Sequence, residues 1–167
     1  MNLIKNNKVI AAEIKNIDLS KDLNTYEIDF IQKAWDENLV LIFKNQELND
    51  PQLIKFSKYF GNLDLPAPNP YGINFSPDHP EINVISNVKE KGKPIGILGD
   101  GEATWHADMT YNEIPPKGAI LYSLEVPKDQ GDTHFSNMIA AYENMPESLI
   151  KKIEDKFLIH DASHNSA

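Results

Sequence analysis

Hydrophobic positions along the chain change period several times, and each change marks an element. Residues 8–17 alternate apolar and polar side chains loosely and run into the polar stretch 18–22, which predicts a short strand and a loop. From Asn24 onward, Ile28, Ile31, Trp35 and Leu39 recur at helical spacing, and Asn24 with Glu27 three residues later forms a capping-box pattern. Trp35 lies on the apolar stripe of this amphipathic helix, so it is expected in the core. The continuous apolar run of residues 39–43, rich in β-formers, predicts a strand buried on both faces. Asp50 and Pro51 open a second helix with Leu53, Phe56 and Phe60 on one face, and Gly61 is its expected stop.

The pattern then breaks. Residues 65–80 hold five of the eleven prolines and show no period, which predicts a long irregular loop, a kind of segment that often carries function. Residues 81–88 alternate as a strand does, and residues 89–94 form a charged hairpin tip or an anion contact. Three glycines in residues 96–101 match neither a phosphate loop nor a dinucleotide fingerprint and suggest a flexible approach to residues 101–111. Further strands are expected over residues 118–126, 133–135 and 156–164. Ser136 or Asn137 caps a helix carrying Ile139, Ala140 and Tyr142, and Pro146 opens another with Leu149, Ile150 and Ile153 inward.

Composition narrows the chemistry. At 167 residues and 41% hydrophobic content the chain suits a single globular domain over residues 1–167. A net charge of −9 argues against nucleic acid and against an anionic membrane surface as partners, because both attract basic surfaces. With no cysteine, a metal must be held by His, Asp or Glu. The N-terminus has no apolar signal core and no run is long enough to span a membrane, so a cytoplasmic location is expected.

The chemistry-bearing stretch is residues 101–111. His106 and Asp108, two residues apart, share a face if this stretch is a strand, with Cα atoms about 6.6 Å apart along it, and both can then reach one ion. Imidazole plus carboxylate suits a divalent first-row metal, and a second His would complete the facial triad of non-heme Fe(II) oxygenases. The spacing alone is weak, since short motifs arise by chance. His79 and Glu81 share it, but Pro80 between them and the turn-like residues 76–78 mark a loop.

Four segments together are more specific than that spacing. Residues 38–46 (NLVLIFKNQ), 60–63 (FGNL), 105–108 (WHAD) and 131–142 (GDTHFSNMIAAY) resemble, in order and spacing, the taurine dioxygenase (TauD/TfdA) family of Fe(II)- and 2-oxoglutarate-dependent oxygenases. The resemblance implies an α+β fold, a double-stranded β-helix or jelly roll with flanking helices. It also implies that His106 and Asp108 are iron ligands and that the Thr133 hydroxyl holds the far carboxylate of 2-oxoglutarate. Asn69 and Tyr71, in the long loop, are candidate substrate contacts. Sulfonate-binding members carry His-Pro soon after the FGNL-like element, where this chain has Leu65, Pro66, Ala67 and Pro68, so sulfonate specificity does not carry over.

The implied reaction is hydroxylation of a small organic substrate by dioxygen with release of succinate and CO2. Family members continue beyond the region matched here, and that later part supplies a third ligand, a His, and an Arg for the cosubstrate carboxylate. His160 falls where members carry a non-ligating His-Asp, His164 lies near the end, and His134 faces away from Thr133 by alternation. The domain is therefore expected to be incomplete at its C-terminus. Two other readings share these residues: an inactive jelly-roll or binding protein without the third ligand, and a small jelly-roll hydrolase or isomerase using another metal. Oligomeric state is open, a homo-oligomer included.

An incomplete sheet leaves unpaired edges and uncovered apolar side chains, which favour association. The isolated 167-residue chain is expected to be poorly stable. A cooperative thermal transition in a monodisperse monomer, measured by calorimetry with light scattering, would contradict this.

Overall fold

The computed structural model describes residues 1–6, 9–66, 72–98, 104–129 and 131–161. Its elements are β1 (Asn2–Lys5), β2 (Ala12–Lys15), α1 (Thr25–Asn38), β3 (Leu41–Ile42), α2 (Asp50–Lys58), β4 (Lys89–Glu90), β5 (Lys93–Pro94), α3 (Met138–Glu143) and α4 (Glu147–Ile153). The chain divides into two compact units, Met1–Phe60 with Leu121–Phe157, and Gly61–Ile120 with Leu158–Ala167.

The first unit is built on β2. β1 pairs with it antiparallel, Leu3 opposite Ile14, and β3 pairs with it parallel, Ala12 opposite Leu41. Ala12, Glu13 and Ile14 are all buried, because a middle strand is covered on both edges and, here, on both faces. Ile14 joins Leu19, Leu23, Ile31, Ala34 and Phe56 in the core. The Glu13 carboxylate is compensated by Lys15 Nζ at 3.7 Å and Lys44 Nζ at 3.6 Å.

Both helices begin where their sequences predict. The Asn24 side chain accepts from the Glu27 amide and the Glu27 carboxylate accepts from the Asn24 amide, closing the expected capping box. Asn49 and Gln52 make a second box that the sequence pattern did not suggest, with Pro51 in the first turn of α2. α2 stops at Lys58, before Gly61. Trp35, expected in the core, is half-buried instead, edge-on to Phe60, and its indole N–H donates to the Leu39 carbonyl. In the connection to α1, the Ser20 hydroxyl, Lys21 and the Ser20 amide hold the Asp18 carboxyl down at about 2.

Several expected strands are not strands. Residues 118–126, 133–135 and 156–161 form no ladder, and β3 is two half-buried residues rather than a strand buried on both faces. The physical reason is partnership: alternation makes a segment competent to pair but does not supply a neighbour. Their apolar side chains stay in water, Leu124 at 86% exposure and Phe157 at 98%. Leu149, Ile150 and Ile153 of α4, expected inward, are likewise not buried. Among the described residues the sheets are three-stranded and two-stranded, with no closed barrel.

The second unit carries a small hairpin. The expected tip is present: β4 and β5 pair antiparallel around Lys91 and Gly92, both at positive φ (50° and 80°), as a two-residue hairpin turn requires. The preceding residues 81–88, expected as a strand, continue the pairing only through isolated bonds, Ile95 to Val88, Ile97 to Val84 and Leu98 to Ser86. Gly96 is a close-approach glycine rather than a flexible one. A Cβ there would lie 2.6 Å from the Ser86 amide nitrogen and 2.8 Å from the Val84 carbonyl oxygen. Gly96→Ala should therefore push these segments apart and strip hydrogen-exchange protection from the Ile97 and Leu98 amides. Unchanged protection would show that the approach is not needed.

Candidate functional site

Residues 104–112 do not form the strand expected of them. The backbone is irregular from Thr104 to Ala107 and then turns, with the Asn112 amide donating to the Met109 carbonyl at 3.1 Å. Met109 sits in the left-handed region at φ 49°, unusual for an L side chain. The turn brings together what a strand would only have aligned, placing His106 Nε2 3.2 Å from Asp108 Oδ1. The two side chains meet on a backbone other than the strand that the spacing assumed.

The other imidazole nitrogen is also engaged. His106 Nδ1 lies 2.7 Å from the Thr104 carbonyl oxygen, and a carbonyl only accepts, so Nδ1 carries a proton. Nε2 is then the nitrogen that turns toward Asp108: as N–H of an imidazolium it donates to the carboxylate, and deprotonated it presents a lone pair. An orienting carbonyl on the far nitrogen is the usual support of a metal-bound histidine. Two ligand atoms about 2.1 Å from one ion and at right angles around it are about 3 Å apart. The Nε2 to Oδ1 separation therefore suits two adjacent ligands of one divalent cation, and imidazole with carboxylate is a donor set for a first-row metal. The His106 side chain is about half open to solvent and that of Asp108 about two-thirds.

A cavity of about 250 Å³ lies beside this pair within the second unit. Trp105, His106, Ala107 and Thr110 line one part of it, and residues 158–160 the other. His160 Nδ1 lies 2.8 Å from Thr110 Oγ1. No sequence signal points to this contact, since two residues fifty positions apart leave no local trace of meeting. Among the described residues no third His, Cys, Asp or Glu joins His106 and Asp108 in a metal-binding group.

The remaining expected residues fall elsewhere. Thr133 is exposed in an irregular segment of the first unit, just ahead of the Asn137 cap of α3. The Asn137 side chain accepts from the Ala140 amide and donates to the Val9 carbonyl, so the expected cap is present. His134 is exposed. Residues 76–82 turn twice, through His79 to Ser76 and Ile82 to His79, so the His79 and Glu81 pair is loop, as its proline suggests. Asn69, Tyr71 and His164 lie outside the described residues. No helix among the described residues is long and apolar enough to cross a membrane.

Comparison with known proteins gives the class. The profile of the taurine catabolism dioxygenase TauD, TfdA family matches residues 4–167, and the chain belongs to this family. Over 159 residues it is 30% identical to an alpha-ketoglutarate-dependent sulfate ester dioxygenase of Pseudomonas putida, covering 95% of this chain and 48% of that protein. Over 178 residues it is 29% identical to an alpha-ketoglutarate-dependent 2,4-dichlorophenoxyacetate dioxygenase of Cupriavidus pinatubonensis, covering 95% of this chain and 61% of that protein. The chain thus spans about half the length of the curated relatives it matches. Its fold is similar to that of AAD-2, solved in complex with Mn(II) and N-oxalylglycine, with a TM-score of 0.68 at 25% identity over 92% of this chain and 54% of that one.

Proposed function

We propose that this protein is an Fe(II)- and 2-oxoglutarate-dependent dioxygenase that hydroxylates a small organic substrate with release of succinate and CO2. Residues 1–167 are read as one oxygenase domain of jelly-roll type. The observation that carries the proposal is the approach of His106 Nε2 to Asp108 Oδ1, with Nδ1 tied to the Thr104 carbonyl, in a chain whose family relatives are named for alpha-ketoglutarate dependence.

In this reading His106 Nε2 and Asp108 Oδ1 hold the iron. Bound there, Fe(II) would supply the oxidative chemistry that couples decarboxylation of 2-oxoglutarate to hydroxylation of a substrate carbon, one oxygen atom of dioxygen going to succinate and the other to the product. His106 keeps its proton on Nδ1 through Thr104, so Nε2 is available to the metal without a tautomer change. The Asp108 carboxylate offsets part of the cation's charge and must be ionised to bind it. The Thr133 hydroxyl donates to the far carboxylate of 2-oxoglutarate, a neutral donor that is weaker than a charged one. Asn69 and Tyr71 are proposed to meet the substrate from the long loop.

A second reading shares the same pair of residues. It makes the protein a family member that binds without turning over. Iron analysis followed by a 2-oxoglutarate-dependent succinate assay separates the two. The dioxygenase reading expects iron-dependent succinate formation. It also expects a loss above about 100-fold in His106→Ala, because changes around a metal ligand alone cost about 10–100-fold. Undiminished succinate formation by His106→Ala contradicts the site, and no bound iron with no succinate supports the second reading.

A further inference from the structure

The contact between His160 and Thr110 has no part in the proposed reaction, yet it reaches the backbone that shapes the metal pair. Thr110 follows Asp108 by two residues, inside the turn that the Asn112 amide closes on Met109. Met109, between Asp108 and Thr110, holds a left-handed φ of 49°. A non-glycine residue persists there only when surrounding contacts over-determine it. The bond between Thr110 Oγ1 and His160 Nδ1 at 2.8 Å is such a contact, and it joins segments fifty residues apart. A hydroxyl both donates and accepts, so the bond survives whichever ring nitrogen of His160 carries the proton.

Its location adds to the case. His160 and Thr110 line the same cavity as His106, so the bond also fixes one wall beside the candidate ligands. His160 does not itself join His106 and Asp108 in a ligand group. Its action is through Thr110.

We propose that His160 is a positioning residue: by holding Thr110 it holds the left-handed turn that sets Asp108 against His106. This rests on the reading of His106 and Asp108 as the metal pair, and the test separates the two.

The test uses the 167-residue chain with Mn(II) alone as probe, read by the electron paramagnetic resonance signal of the free ion, together with amide NMR shifts of residues 108–112. His160→Ala and Thr110→Val should each weaken Mn(II) binding about tenfold, the lower end of what outer supports of metal ligands contribute. The double variant should be no weaker than either single one, because both remove the same bond. His160→Asn, whose side-chain amide can occupy the Nδ1 position, should recover affinity to within about threefold of wild type, near the scale of ordinary context dependence. Far-UV circular dichroism spectra and amide shifts outside residues 104–112 should match across the series, which excludes a general loss of structure.

Full Mn(II) affinity in His160→Ala, losses that multiply in the double variant, or no recovery in His160→Asn would overturn the proposal. His106→Ala is the control for the underlying reading. If that variant binds Mn(II) like wild type, or if wild type binds none, the metal assignment falls and the amide shifts decide alone. Equal perturbation of residues 108–112 by His160→Ala and Thr110→Val, reversed by His160→Asn, supports the positioning role; unperturbed shifts overturn it.

Discussion

Strand β2 is the constraint on which the first unit depends. Its edges are occupied by β1 and β3, and its side chains Ala12, Glu13 and Ile14 are buried. Positive φ values at Ala11 (74°) and Asn16 (60°) stop it at each end. Everything else in the core is recruited to it: Ile31 and Ala34 from α1, Phe56 from α2, and Leu19 and Leu23 from the connection between β2 and α1. The Gln46 side chain extends this order, accepting from the Leu19 amide and donating to the Ile17 carbonyl. Tyr122 adds residues far along the chain, accepting from the Leu48 amide and donating to the Gln46 carbonyl.

The second unit is organised differently. Its order comes from turns and backbone approaches rather than from a buried core, with the buried apolar side chains of the described residues all falling between residues 12 and 56. The candidate metal pair is therefore set by backbone conformation and hydrogen bonding: Thr104 orients the imidazole, the Met109 turn delivers the carboxylate, and His160 holds the turn through Thr110. A site built this way can be open to solvent and still have defined geometry, since the imidazole is tied at its far nitrogen and the backbone that carries the carboxylate is held in a turn.

Features written into short stretches were legible in the sequence. The Asn24 and Glu27 box, the Pro51 start of α2, the Asn137 cap and the turn at Lys91 and Gly92 depend on residues within one turn of each other, and all four are present. The pairing of His106 with Asp108 was legible as a spacing, and the family was legible from four ordered motifs. The strands expected over residues 81–88, 118–126 and 156–161 did not form as such, because a ladder needs a partner that alternation does not name. The role of Gly96 was hidden for the same reason: the Ser86 and Val84 atoms it accommodates are ten or more residues away. The bond between His160 and Thr110 joins two residues whose separation carries no sequence signal.

The central claim is that His106 and Asp108 share one metal ion, and paramagnetic relaxation tests it most directly. Adding substoichiometric Mn(II) to the isotope-labelled chain is predicted to broaden the resonances of residues 104–110 selectively, with the His106 ring and Asp108 carboxyl signals lost first. Uniform broadening across the chain, or broadening centred on another acidic cluster while residues 104–110 stay sharp, would contradict it.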